Sequence, residues 1–125
     1  AYRATFHQYA NLAGNWLPDE TPSAANREWD NTVANAAVWN QLGVVPDSGL
    51  YFVYMGSAGL PGACPTHARY AASTTAAGGN AWCNSDFWYV AAAKQDLDQD
   101  GECKGFVVIS KYMKMVERTA ACNAF

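Results

Sequence analysis

The amino-acid sequence predicts an α+β fold: an N-terminal helix packed on a small antiparallel β-sheet with disulfide-pinned loops. Three observations carry that expectation. Apolar residues recur at three- and four-residue steps in the first third of the chain, the period of a helix face. After Leu50 come short runs rich in Val, Ile, Tyr and Phe, bounded by turn residues, the composition of a pleated surface. Helices precede strands instead of alternating with them, which favours α+β over α/β. With 125 residues, 50% of them hydrophobic and 14% aromatic, the chain is one domain with enough apolar side chains for a single core.

Tyr2, Phe6, Tyr9, Ala10 and Ala13 lie at helical spacing, and Gly14 can end that helix in a left-handed cap. No capping residue opens it, so residues 1–14 are expected to be the C-terminal part of a longer helix whose upstream end is absent, with a short terminal helix as the alternative. Asn15 to Pro22 read as a loop broken by Pro18 and Pro22. Ser23 can cap a second helix over residues 24–41, where Ala25, Trp29, Val33, Ala36 and Ala37 share one face and Gly43 ends it. Trp29 and Trp39 are expected in the core.

Pro46-Asp47-Ser48-Gly49 is a turn by composition, and Leu50-Tyr51-Phe52-Val53-Tyr54-Met55 is the first strand. Residues 56–81, rich in Gly, Ala, Ser and Thr, read as a long surface excursion. Phe87–Ala92, Gly105–Ser110 and Tyr112–Val116 complete an antiparallel meander, with an Asp-rich loop joining the second and third strands.

Cys64, Cys83, Cys103 and Cys122 show no C-x-x-C spacing, and His7 and His67 stand far apart, so two disulfides are a better reading than zinc. Three connectivities exist; pairing in sequence order gives Cys64–Cys83 and Cys103–Cys122, two loops of equal size. The first would staple the long excursion and the second would tether the C-terminal segment, each contributing about 3 kcal/mol. Such usage belongs to an oxidising compartment: secreted, periplasmic or cell-surface. No signal peptide and no apolar stretch of membrane-spanning length occurs in the sequence.

The net charge of −3 and the scatter of Arg3, Arg27, Arg69, Lys94, Lys104, Lys111, Lys114 and Arg118 argue against a phosphate-binding surface and a nucleic-acid partner. An enzymatic reading would need His7 or His67 with Asp86, or Ser85-Asp86 near Cys83. No nucleophile elbow, metal-ligand spacing or phosphate loop supports it, so no catalysis is expected. Among the tryptophans, Trp88 in a strand is expected in the core, while Trp16 and Trp82 are candidates for an exposed aromatic platform.

Asp96-Leu97-Asp98-Gln99-Asp100-Gly101 is the densest chemistry in the chain. Aspartates at positions one, three and five of a tight loop can converge on Ca²⁺, with Gly101 permitting the reversal. This is no EF-hand, because position twelve is Val107 and Phe106-Val107-Val108-Ile109 reads as a strand. Two readings stay open: a hairpin turn with solvated carboxylates, or a weak Ca²⁺ site of Asp96, Asp98, Asp100 and Glu102 completed by backbone carbonyls.

The run Leu42-Gly43-Val44-Val45-Pro46-Asp47-Ser48-Gly49-Leu50-Tyr51-Phe52-Val53-Tyr54, followed by the Asp96 to Gly101 loop, resembles the globular region of bacterial type IV pilins and related pseudopilins. The resemblance covers most of the chain. It implies a single pilin-like domain over 1–125, with 1–14 as the end of the family's long helix, 15–49 as its αβ-loop and 50–125 as its sheet and C-terminal loop. Cys103 and Cys122 would match the disulfide that often closes the family's C-terminal region. The family's N-terminal apolar helix, its cleaved leader and the glutamate near the mature start have no counterpart here, and the Cys64–Cys83 excursion is not general in the family.

What the resemblance implies is assembly. The chain would be a major or minor subunit of a type IV pilus or a secretion pseudopilus, serving adhesion, motility or protein secretion. Its domain would form the outer shell and present the loops around 15–28 and 56–81. Partners would be other pilin subunits, including a separate short helical chain in split pilins, with membrane contact only through the missing helix. The filament would be extracellular, on a bacterial surface, after export through the inner membrane; Ca²⁺ would be structural and the sole cofactor. The alternative is a secreted, disulfide-stabilised carbohydrate- or protein-binding module.

Overall fold

Alternation of side chains across an extended backbone is what organises this chain. The computed structural model describes residues 16–18, 21–29, 36–42, 46–63, 83–110 and 115–125. Four strands, β1 (Val53–Gly59), β2 (Trp88–Gln95), β3 (Glu102–Ile109) and β4 (Met115–Ala121), form one antiparallel sheet in the order β1-β2-β3-β4. The register aligns Met55, Ala92, Val107 and Val116 in one row and Val53, Lys94, Gly105 and Arg118 in the next. Successive residues of a strand point to opposite faces, so these rows share one face. On it Val53, Met55, Trp88, Val90, Ala92, Cys103, Val107 and Ile109 are buried.

Trp88 shows how closely that core is fitted. Its cross-strand partner is Gly59, where an added Cβ would collide with the indole ring. A strand glycine permits that close approach. The indole Nε1–H then donates to the carbonyls of Leu60 and Ala63, each at 3.1 Å.

Two isolated pairings lie along the outer edge of β1 and of the residues leading into it. Leu17 and Tyr54 exchange backbone hydrogen bonds of 2.8 and 2.7 Å, and Arg27 and Leu50 exchange bonds of 2.9 and 2.7 Å. The first buries Leu17 and carries Trp16 into the core, where its ring meets Phe125 edge-on with centroids 6.1 Å apart.

The predicted α+β arrangement is overturned. Among the described residues no N-terminal helix packs on the sheet, and helical geometry is confined to one turn, α1 (Ala36–Trp39), prolonged by a 3₁₀ turn over Asn40–Leu42. The described groups covering the buried face are Trp16, Cys83 and Phe125, which come from extended and turn segments. The expected helix over 1–14 lies outside the described residues. The second expected helix fails over residues 24–29: the Ser23 hydroxyl accepts the Ala25 N–H at 3.1 Å in a local turn, and Arg27 pairs with Leu50. Asn26 is a weak helix former, and spacing of the apolar residues does not overcome the pull of these pairings over 24–29; residues 30–35 of the expected helix lie outside the described residues. Trp29 and Trp39 still meet, edge-on at 5.8 Å, but both stay half-buried and outside the sheet core.

The strand boundaries also move: β2 is Trp88–Gln95 rather than Phe87–Ala92, and β3 is Glu102–Ile109 rather than Gly105–Ser110. β1 begins at Val53 rather than Leu50 and runs through Gly56, Ser57, Ala58 and Gly59, residues whose composition suggests a loop. Small side chains there admit the Trp88 indole, so packing outweighs strand propensity. β4, Met115–Ala121, runs on past the expected end at Val116, because its pairing with Glu102–Val108 leads directly to the Cys122 crosslink; the expected start at Tyr112 lies outside the described residues. Among the described residues no helix is long and apolar enough to cross a membrane.

Candidate metal loop

The Asp-rich run is the connection between β2 and β3. Gln95 ends β2 and Glu102 opens β3, and the turn between them puts Gln99 at φ 58° and Gly101 at φ 86°. Space around Gly101 is open, so glycine serves that position through its backbone freedom rather than its size. The loop's carboxylates hold its backbone: the Gly101 N–H donates to Asp96 Oδ2 at 3.3 Å, and the Glu102 N–H donates to Asp100 Oδ1 at 2.8 Å.

Asp96, Asp98 and Asp100 each bring a carboxylate oxygen to within 4.8 Å of the others. Asp98 and Asp100 are exposed, whereas Asp96 is half-buried and its Oδ1 is enclosed with no hydrogen-bond partner among the described residues. Three like charges converging beside an unsatisfied buried oxygen fit a hard divalent cation, with backbone carbonyls and water completing six to eight oxygen ligands. Glu102 stands outside this converging set, exposed at the start of β3.

The loop is clamped to the C-terminal segment. Cys103, fully buried, is disulfide-bonded to Cys122. The Cys122 N–H donates to the Gly101 carbonyl at 3.0 Å, and Cys122 Sγ lies 3.6 Å from Asp96 Oδ2. Beyond it the chain turns back through Ala124 N–H to Ala121 O at 2.8 Å. Arg118 donates to the Ala124 carbonyl at 2.9 Å, with its guanidinium 5.5 Å from the Phe125 ring centroid. Partial burial lowers the Arg118 pKa from its ordinary value by desolvation, which leaves the guanidinium charged at neutral pH.

Lys94 is the buried charge beside this loop that sequence reasoning missed. It is only 1% exposed, its Nζ donates to the Cys122 carbonyl at 2.8 Å and sits 4.3 Å from the Trp16 ring centroid. A signal was present: Lys94 is in phase with Trp88, Val90 and Ala92 on the inward face of β2. Counting it among scattered surface charges overlooked that phase.

The other predicted residues fall as follows. Trp16, expected exposed, is 5% exposed and belongs to the core, because the Leu17 pairing turns it inward. Cys83 is buried and disulfide-bonded; its expected partner Cys64, together with Trp82, His7 and His67, lies outside the described residues. Ser85 and Asp86 are exposed, and Asp86 Oδ1 accepts the Phe87 N–H at 2.8 Å. No family model, curated protein or solved structure matches this chain.

Proposed function

We propose that this domain is a structural subunit of a type IV pilus or related extracellular filament, contributing outer shell rather than chemistry. The supporting observation is where the two runs that resemble pilins fall. Leu50 and Tyr54 of the first run make the isolated backbone pairings at the β1 side of the sheet, and the second run is the β2–β3 loop clamped by the Cys103–Cys122 disulfide. A shell domain transmits tension between neighbours, and a covalent tie between β3 and the end of β4 keeps the last strand on the sheet under load.

Assembly of this kind requires an apolar helix, either joined upstream or carried by a separate short chain. Other copies of the subunit are the remaining partners. The test is the intact mass and N-terminal sequence of the native protein from sheared cell-surface material. The expected result is an apolar helix attached to this domain or copurifying with it. A secreted protein beginning near Ala1 with no helical companion overturns the reading.

Within this reading Asp96, Asp98 and Asp100 hold a structural Ca²⁺ that cancels carboxylate repulsion and gives Asp96 Oδ1 a partner. Calcium at tenfold its dissociation constant should stabilise the domain by about 1.4 kcal/mol. That shifts Tm upward by roughly 3–6 °C. Asp98→Asn, at an exposed position, should abolish the response while leaving the calcium-free melt unchanged or slightly raised, since one of the three repelling charges is gone. Identical melts in calcium and chelator would sink the site.

A further inference from the structure

The face of the sheet opposite the core is covered unevenly. On its β1–β2 half Tyr54, Ala91 and Ala93 are half-buried, but on β3 and β4 Phe106 is 40% exposed and Met115 64%. The register aligns Ala93, Phe106 and Glu117 in one row, with Ala91, Val108 and Met115 on one side of it and Gln95, Lys104 and Thr119 on the other. Lys104, Phe106, Glu117 and Thr119 therefore form a square. Phe106 and Thr119 stand on one diagonal, and Lys104 and Glu117 on the other, about 7–8 Å apart. Neither the Lys104 ammonium nor the Glu117 carboxylate has a hydrogen bond or ion pair among the described residues.

We propose that this face pairs with the same face of a second copy about a two-fold axis along the Phe106–Thr119 diagonal. Rotation about that axis leaves Phe106 nearly in place, so each ring packs on its counterpart. It exchanges the positions of Lys104 and Glu117, so each ammonium meets the other copy's carboxylate. An isologous interface makes every contact twice, giving two ion pairs around an aromatic centre. Charge selects the axis: a two-fold along the other diagonal would set Lys104 on Lys104 and Glu117 on Glu117. Strands of the two sheets then cross steeply, in the orthogonal class of sheet packing. This pairing stands independently of the filament reading, since it needs only the folded domain.

Sedimentation of the 125-residue chain from micromolar to millimolar concentration at low salt tests it. A monomer–dimer equilibrium that weakens with added salt is expected. Lys104→Glu and Glu117→Lys should each weaken self-association about tenfold or more, because each sets like charges together at both symmetric contacts. The two single variants should associate with each other, and the double reversal should restore the original dimer. All four residues of the square lie on the solvent-facing side, and near-UV circular dichroism checks that the variants stay folded. A monomer at every concentration overturns the proposal and leaves the face to a different partner. A dimer indifferent to the reversals, or one that mixing does not restore, overturns it by locating the contact elsewhere.

Discussion

Replacing Phe125 with alanine should cost the domain about 3–5 kcal/mol of unfolding free energy, among the largest losses available from one side chain. Phe125 is 3% exposed and packs edge-on against Trp16. Its ring reaches over Gly105, where an added Cβ would meet Phe125 Cζ at 2.8 Å and collide with the Ala93 carbonyl. The sheet therefore has a glycine-floored seat for this ring, and truncation leaves a cavity between Trp16 and β3 that neighbouring side chains cannot close. Phe125→Leu should recover most of the loss, since volume rather than aromaticity fills the seat. Urea denaturation measures both. A loss below about 1 kcal/mol for the alanine variant would show that the C-terminal segment is not part of the cooperative core.

Removing the Cys103–Cys122 crosslink, as the double alanine variant, should cost about 3 kcal/mol by releasing loop-closure entropy to the unfolded chain. Alanine is the apt replacement because Cys103 is fully buried and a serine hydroxyl would be stranded there. The same variant should blunt the response to calcium, since Cys122 anchors the loop through Gly101 and contacts Asp96. Combined with Phe125→Ala, the loss should be less than additive, because both changes free the same segment. A double-alanine variant within 1 kcal/mol of wild type, or full additivity with Phe125→Ala, would contradict this coupling.

Much of the sheet was legible in the sequence. The apolar alternation around Trp88 and Val107, the turn chemistry of Asp96 to Gly101 and the sequence-order pairing of Cys103 with Cys122 all reflect local rules that tertiary context did not override. The errors have a common origin in pairings made at long range. Trp16 is inside because Leu17 hydrogen-bonds to Tyr54, a partner that periodicity near residue 16 cannot reveal. Residues 24–29 resemble a helix face by spacing, yet Arg27 finds its hydrogen bonds at Leu50. Gly56 to Gly59 lack strand propensity and become strand because the Trp88 indole needs a flat backbone beneath it. Lys94 is buried because its ammonium has a carbonyl and a ring to meet, both supplied by segments distant in sequence. At the candidate loop the three aspartates could be named from spacing alone, whereas the orphaned Asp96 Oδ1 and the position of Glu102 depend on how β3 leaves the turn.

The two borders of the sheet face solvent on different conditions. β1 is met at Tyr54 by Leu17, with Arg27 pairing just ahead of the strand at Leu50, while no described strand lies beyond β4. A bare strand is a template for runaway fibre growth, and side chains of opposite charge at Glu117 and Arg118 make it a poor one. Growth by strand addition is thus hindered at one border by the Leu17 pairing and discouraged at the other by charge, so crowded copies of the domain are steered toward contacts between faces rather than toward an extended amyloid-like ribbon.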